Sequence, residues 1–173
     1  LCYEAVEVLR ETLGSRHPDT LISIGNLGLL RQTKGDLAAA EPLLREALEV
    51  QRKTLGNRHP NTLTSINNLG SLLQAKGDLT AAVTLLCEAL EGQRETLGNR
   101  HPHTLISINN LGSLLEAKGD LAAAKPLYRE ALEGGRETLG SRHPDTLMAI
   151  NNLGLLLKDK GDFAAAGSLL REA

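Results

Sequence analysis

One phrase returns four times along the chain and limits what it can become. It reads LGSRHPDTLISIGNLG from Leu13 to Gly28, LGNRHPNTLTSINNLG from Leu55, LGNRHPHTLISINNLG from Leu97 and LGSRHPDTLMAINNLG from Leu139. Gly14, Gly56, Gly98 and Gly140 keep a step of 42 residues, as do His17, His59, His101 and His143. The first copy also holds Ser15, His17 and Asp19, the residue types of a hydrolytic triad. A triad needs nucleophile, base and orienting acid together. The second copy has Asn57 and Asn61 in place of the serine and aspartate, and the third has Asn99 and His103. Only the histidine persists, so the phrase reads as architecture.

One unit gives a helix pair. Ile66, Leu69, Gly70 and Leu73 fall on one face at helical spacing, which predicts a helix A from about Pro60 to Ala75. Pro60 suits a first helical position and His59 the N-cap before it. Lys76-Gly77-Asp78 closes the helix with a left-handed glycine and caps the next one with aspartate. Helix B then runs from Leu79 to about Leu97, with Leu79, Ala82, Leu86, Ala89 and Leu90 inward. The K-G-D triplet resembles an integrin-type tripeptide, but cap-and-turn duty explains all four copies. Neither helix can bury its stripe alone, so pairs must stack, with Gly70 and Gly112 admitting close approach.

The small positions Gly70, Ala82 and Ala89 and the large positions Leu69, Leu73 and Leu86 lie in NNLGSLLQAKGDLTAAVTLLCEAL, residues 67–90. This stretch resembles the tetratricopeptide repeat signature, whose common form is shorter, about 34 residues. The longer period, the L-G-x-x-H-P-x-T-L linker and AEPLLREALE at 40–49 resemble the repeats of kinesin light chain. The resemblance spans the whole chain. It implies an all-α fold, a right-handed superhelical solenoid of antiparallel helix pairs. The layout is a partial helix B at 1–14, complete repeats at 15–56, 57–98 and 99–140, and a truncated repeat at 141–173. Leu1 aligns with Leu43 and Ala173 with Ala47, so the chain is expected to be a piece of a longer array, without polar capping helices.

The resemblance also implies that helix A lines a concave groove. The sequence makes that face polar but almost uncharged: residues 61–75 carry no charge, and residues 103–117 carry only Glu116. The candidate peptide contacts are Asn26, Asn67, Asn68, Ser71, Gln74, Asn109, Asn110, Ser113, Asn151 and Asn152. Carboxamides both donate and accept, so they can hold an extended backbone whatever its side chains. The same asparagines could instead brace neighbouring helices. Relatives that clamp a terminal carboxylate place lysine or arginine one turn before the asparagine. Ile22, Thr64, Ile106 and Met148 stand there in this chain, so no carboxylate clamp is expected.

Other function classes find little support. Nineteen basic against 21 acidic residues give a net charge of −2, which offers no pull toward nucleic acid or an anionic membrane. Base stacking would need aromatic platforms, and only Tyr3, Tyr128 and Phe163 are present, all on helix B. No apolar run approaches the roughly 20 residues of a membrane span. Repeated histidines in stacked helices stand about 8–10 Å apart, too far to share a zinc ion. Cys2 and Cys87 cannot build a disulfide framework and fit a reducing cytoplasm. No phosphate loop, dinucleotide fingerprint or zinc-protease motif occurs, so no enzyme and no cofactor are expected.

The expected function is a cytoplasmic protein-interaction scaffold that binds an extended peptide or partner segment. The alternatives are a structural spacer, a self-associating array, or a kinesin-light-chain-like cargo adaptor. Self-association would run end to end through exposed Leu1, Val6 and Leu9 at one end and Leu169 and Leu170 at the other. Gly134-Gly135 marks a weak point in its helix B, with faster amide exchange expected there than in residues 49–53.

Overall fold

The computed structural model describes residues 2–171, without the side chain of Cys2. The expectations placed on Leu1, Ala173 and the Cys2 thiol fall outside the described residues. Within them the chain is helical throughout: α1 Cys2–Leu13, α2 Pro18–Thr33, α3 Leu37–Leu55, α4 Pro60–Ala75 and α5 Leu79–Leu97. They are followed by α6 Pro102–Ala117, α7 Leu121–Thr138, α8 Pro144–Asp159 and α9 Phe163–Leu170. Helix A of each repeat is α2, α4, α6 or α8, and the helices between them are the B members. Two compact units result, one running up to Gly92 and the other beginning at Gln93.

The punctuation of the sequence sets these boundaries. His17, His59, His101 and His143 are N-caps, and each Nδ1 accepts the backbone N–H two residues on at 3.2 Å. That satisfies one of the donors a helix start leaves open. His101 and His103 meet edge to face with ring centroids 5.3 Å apart, and the His101 Nδ1 is already the acceptor for the His103 N–H. Each K-G-D triplet is a turn followed by a cap. Gly77 has φ 84°, in the left-handed region that favours glycine. Asp78 Oδ1 accepts the Ala81 N–H at 3.1 Å, and Asp36, Asp120 and Asp162 do the same in their repeats.

In the first unit Leu21, Ile24, Leu63, Ile66, Leu69 and Leu86 are buried between the paired helices. A Cβ on Gly70 would stand 2.7 Å from Leu86 Cδ2, so the absent side chain is what lets α4 meet α5. The second unit repeats the device with an aromatic ring: a Cβ on Gly112 would stand 2.8 Å from Tyr128 Cε1.

Two expectations change at the level of packing. Val6 is not an exposed end residue; it is buried in a cluster with Leu21, Ile24, Leu27 and Ala47. Tyr3, Val8 and Leu13 are exposed large apolar side chains of α1 instead. The Gly134-Gly135 pair lies inside continuous α7, and both residues are buried. A Cβ on Gly134 would stand 2.4 Å from Leu105 Cδ2, and one on Gly135 would stand 2.7 Å from Thr146 Oγ1. The pair is a place of close packing.

Gly25 offers the contrast. It is also within a helix, but a Cβ there would meet nothing within 4 Å. Gly25→Ala is expected to raise the unfolding free energy by about 0.5–1 kcal/mol, the entropy a helical glycine forfeits. Thermal or urea unfolding checks this; a lower midpoint would mean that α2 is not held as described.

Successive B helices are tied by charge. Arg10 meets both carboxylate oxygens of Glu46 at 2.7 and 2.8 Å. Arg52–Glu88 and Arg94–Glu130 repeat the pattern at the same separation of 36 residues. These pairs are part-exposed, so each contributes at most about 1 kcal/mol and serves register more than stability.

Candidate peptide-binding site

The A helices bury one face and leave another open. On α4 the buried side is Ile66, Leu69, Gly70 and Leu73. Thr64, Asn68 and Ser71, at helical spacing on another face, remain partly accessible. The same stripe reads Ile22, Asn26, Leu29 on α2, Ile106, Asn110, Ser113 on α6, and Met148, Asn152, Leu155 on α8. Every one of these residues is accessible in part or exposed, and none is charged. Gln74 lies one turn beyond Ser71 and is also partly accessible.

The tandem asparagines split by position. Asn26, Asn68, Asn110 and Asn152 hold the open stripe. Asn67 and Asn109, expected as ligand contacts, are only 7% and 4% exposed. A side chain one residue along a helix points about 100° away, and here that direction is into helix packing. These two have little surface left for a partner, and this corrects their place in the site. Asn151, the matching residue of α8, is exposed. Asn152 Nδ2 donates to Asn109 Oδ1 at 3.1 Å, bridging α8 and α6. The bracing role is therefore real for Asn109, and Asn152 shares in it.

Glu116, the one charge of the α6 sequence, is also committed. Its carboxylate accepts the Tyr128 hydroxyl at 2.6 Å. Burial first, and then that carboxylate, push the phenol well above its ordinary pKa, while a hydrogen bond with Ser113 acts the other way. Ser113 is thus engaged with Tyr128. Leu44, Leu86 and Leu170 occupy the position of Tyr128 in the other repeats, so this network is confined to one copy.

A threonine repeated in every copy is also structural. Thr20, Thr62, Thr104 and Thr146 are all buried. Thr20 Oγ1 donates to the Leu9 carbonyl at 3.3 Å, fastening the start of α2 to α1. The signal was present in the H-P-x-T-L phrase. Cys87 lies on the surface of α5, where desolvation and Glu91 push its thiol pKa up, away from a nucleophile's needs.

In this arrangement the open stripes can pair with a backbone and cover apolar side chains, and the residues named in them include no acid–base pair. No helix among the described residues is long and apolar enough to cross a membrane.

The tetratricopeptide repeat family model matches residues 1–53, 25–95, 63–137 and 103–173. No curated protein matches the chain. Among solved structures, the nearly identical TPR-like repeats of a Podosopora anserina protein assigned as a kinesin light chain are 31% identical with a TM-score of 0.75. That match covers 99% of this chain and 81% of the other. A form of the same repeats with one glutamine replaced by methionine gives 30% identity and a TM-score of 0.78 over the same shares. BtubC (BKLC) from P. vanneervenii, at 23% identity and a TM-score of 0.67, covers 98% of this chain and 85% of its own, and shows the fold alone. With the repeat signature matched from end to end and the helix pairs arranged as its spacing requires, the chain belongs to the tetratricopeptide repeat family, an all-α protein-interaction scaffold of the kinesin-light-chain-like kind.

Proposed function

We propose that this protein is a non-enzymatic, cytoplasmic scaffold that binds an extended peptide or partner segment along the open stripe of its A helices. The observation that carries the reading is the stripe itself: an asparagine flanked by neutral residues, accessible in all four copies. Burying a charge costs more than burying a hydrogen-bonded amide, so a charge-free polar surface suits a partner's main chain. A cargo adaptor is one form of such a scaffold, supported by the 31% identity to kinesin-light-chain-assigned repeats.

The test is a pull-down from cell lysate with quantified retention, comparing the wild type with the Asn68→Ala/Asn110→Ala variant. Each lost hydrogen bond is expected to cost about 0.5–1.5 kcal/mol of affinity. Retained proteins should fall away while helical content and melting stay nearly unchanged. If the variant unfolds, these two asparagines are structural and the site assignment fails. If retention is unaffected, the open stripe is not the binding surface, and the spacer reading replaces this one.

A further inference from the structure

We infer that the segment taken up by the second unit is uncharged and carries an apolar side chain at every third residue. This rests on the peptide-binding reading above and names the ligand class for that site. Two A helices, α6 and α8, form the surface, and the Asn152–Asn109 bond at 3.1 Å shows them packed directly together. Directly packed helices lie about 8–10 Å apart. An extended chain rises about 3.3 Å per residue, and a polyproline II chain about 3.1 Å with three residues per turn. Either way, about three residues carry a bound segment from one A helix to the next.

The side chains beside the amides define what those third residues must be. Ile106 stands one turn before Asn110, and Met148 one turn before Asn152, with Leu155 on the other side. Met148 and Leu155 are 40% and 41% exposed, so both leave apolar surface open to a ligand. A backbone held by Asn110 and Asn152 therefore offers one side chain to Ile106 and, three residues later, another to Met148 and Leu155.

Charge decides the rest. Glu116 is spent on Tyr128. The carboxylate at the edge of the surface, Asp145, lines a small recess with Ile106 and Met148. It lies 3.7 Å from His143 Nδ1 and sits in the first turn of α8, where the helix dipole offsets its charge. The stripe residues of α6 and α8 are neutral, so they offer no cation to an acidic side chain and no anion to a basic one. An ionised ligand residue placed there would be desolvated without a partner. The first unit has the neutral stripe with Ile22 on α2 but Thr64 on α4, whereas α6 and α8 carry Ile106 and Met148, so the second unit offers an apolar side chain from both of its A helices.

Fluorescence anisotropy on the full chain tests this with short labelled peptides of serine, glutamine and proline. One probe carries leucine at every third residue, another the same leucines at every second residue. Two more carry glutamate or lysine at every third residue. The period-three leucine probe is expected to bind about 10-fold more tightly than the others, the gain from covering a partly exposed apolar pair. Met148→Glu, a change at an exposed position, should erase that advantage at unchanged melting temperature. Equal binding of all four probes, or tighter binding of a charged one, overturns the inference. If such binding is also lost in the Asn68→Ala/Asn110→Ala variant, the peptide-binding reading survives it. Binding by none of the probes overturns the inference too, and leaves that reading to the pull-down.

Discussion

Leu86→Ala is expected to lower the unfolding free energy by about 2–5 kcal/mol, the range for emptying a fully buried leucine site. Leu86 has no exposed surface, and it lies over Gly70, where a Cβ would come within 2.7 Å of its Cδ2. That contact makes the partner substitution informative. Gly70→Ala gains helix propensity of about 1 kcal/mol but drives a methyl into a side chain with no room to retreat, and is expected to lose about 1–3 kcal/mol overall. The double variant should lose less than the two single changes together, because shortening Leu86 vacates the space that the new methyl needs. A coupling of about 0.5–3 kcal/mol is expected for residues in such contact. Urea unfolding at constant slope measures all three. Strict additivity would show that α4 and α5 do not meet at this point.

The second large effect reverses a rule of thumb. Gly134→Ala should stabilise α7 by about 1 kcal/mol if helix propensity decided the matter. We expect a net loss of about 1–3 kcal/mol instead, because the added Cβ would stand 2.4 Å from Leu105 Cδ2 and 3.0 Å from Arg100 Nη1. The sign is opposite to that expected for Gly25→Ala, though both glycines lie within helices. Thermal melting of the two variants side by side is sufficient. A raised midpoint for Gly134→Ala would mean that α7 stands away from Leu105.

These cases mark how far the sequence could be read. Helix A from Pro60 to Ala75 and helix B from Leu79 to Leu97 are found with those bounds, because proline, glycine, histidine and aspartate punctuate them locally. The open stripe was also legible at Asn26, Asn68, Asn110 and Asn152, whose spacing from the apolar face is fixed by helical geometry. The fate of Asn67 and Asn109 was not. Two adjacent amides look alike in a sequence, and only the neighbouring helix decides which is covered. Tyr128 stayed hidden for a related reason: in place of leucine it brings a hydroxyl into the core, which draws Glu116 out of the open face. Gly134 and Gly135 look like flexibility in a one-dimensional pattern. Whether a glycine loosens a helix or admits a neighbour depends on what stands opposite.

The arginine–glutamate pairs constrain how a chain like this can change in length. Arg10, Arg52 and Arg94 each reach a glutamate 36 residues downstream, and the pairs themselves recur with the repeat. Duplicating or deleting one whole repeat leaves every arginine opposite a glutamate. Inserting a few residues within a repeat would put the arginine before the insertion and the glutamate after it out of phase, along with the glycine–leucine contacts beneath them. Gain or loss of whole copies is therefore the inherited change this design absorbs most easily. The number of repeats becomes a variable that recombination can set, while the chemistry inside each copy drifts one residue at a time.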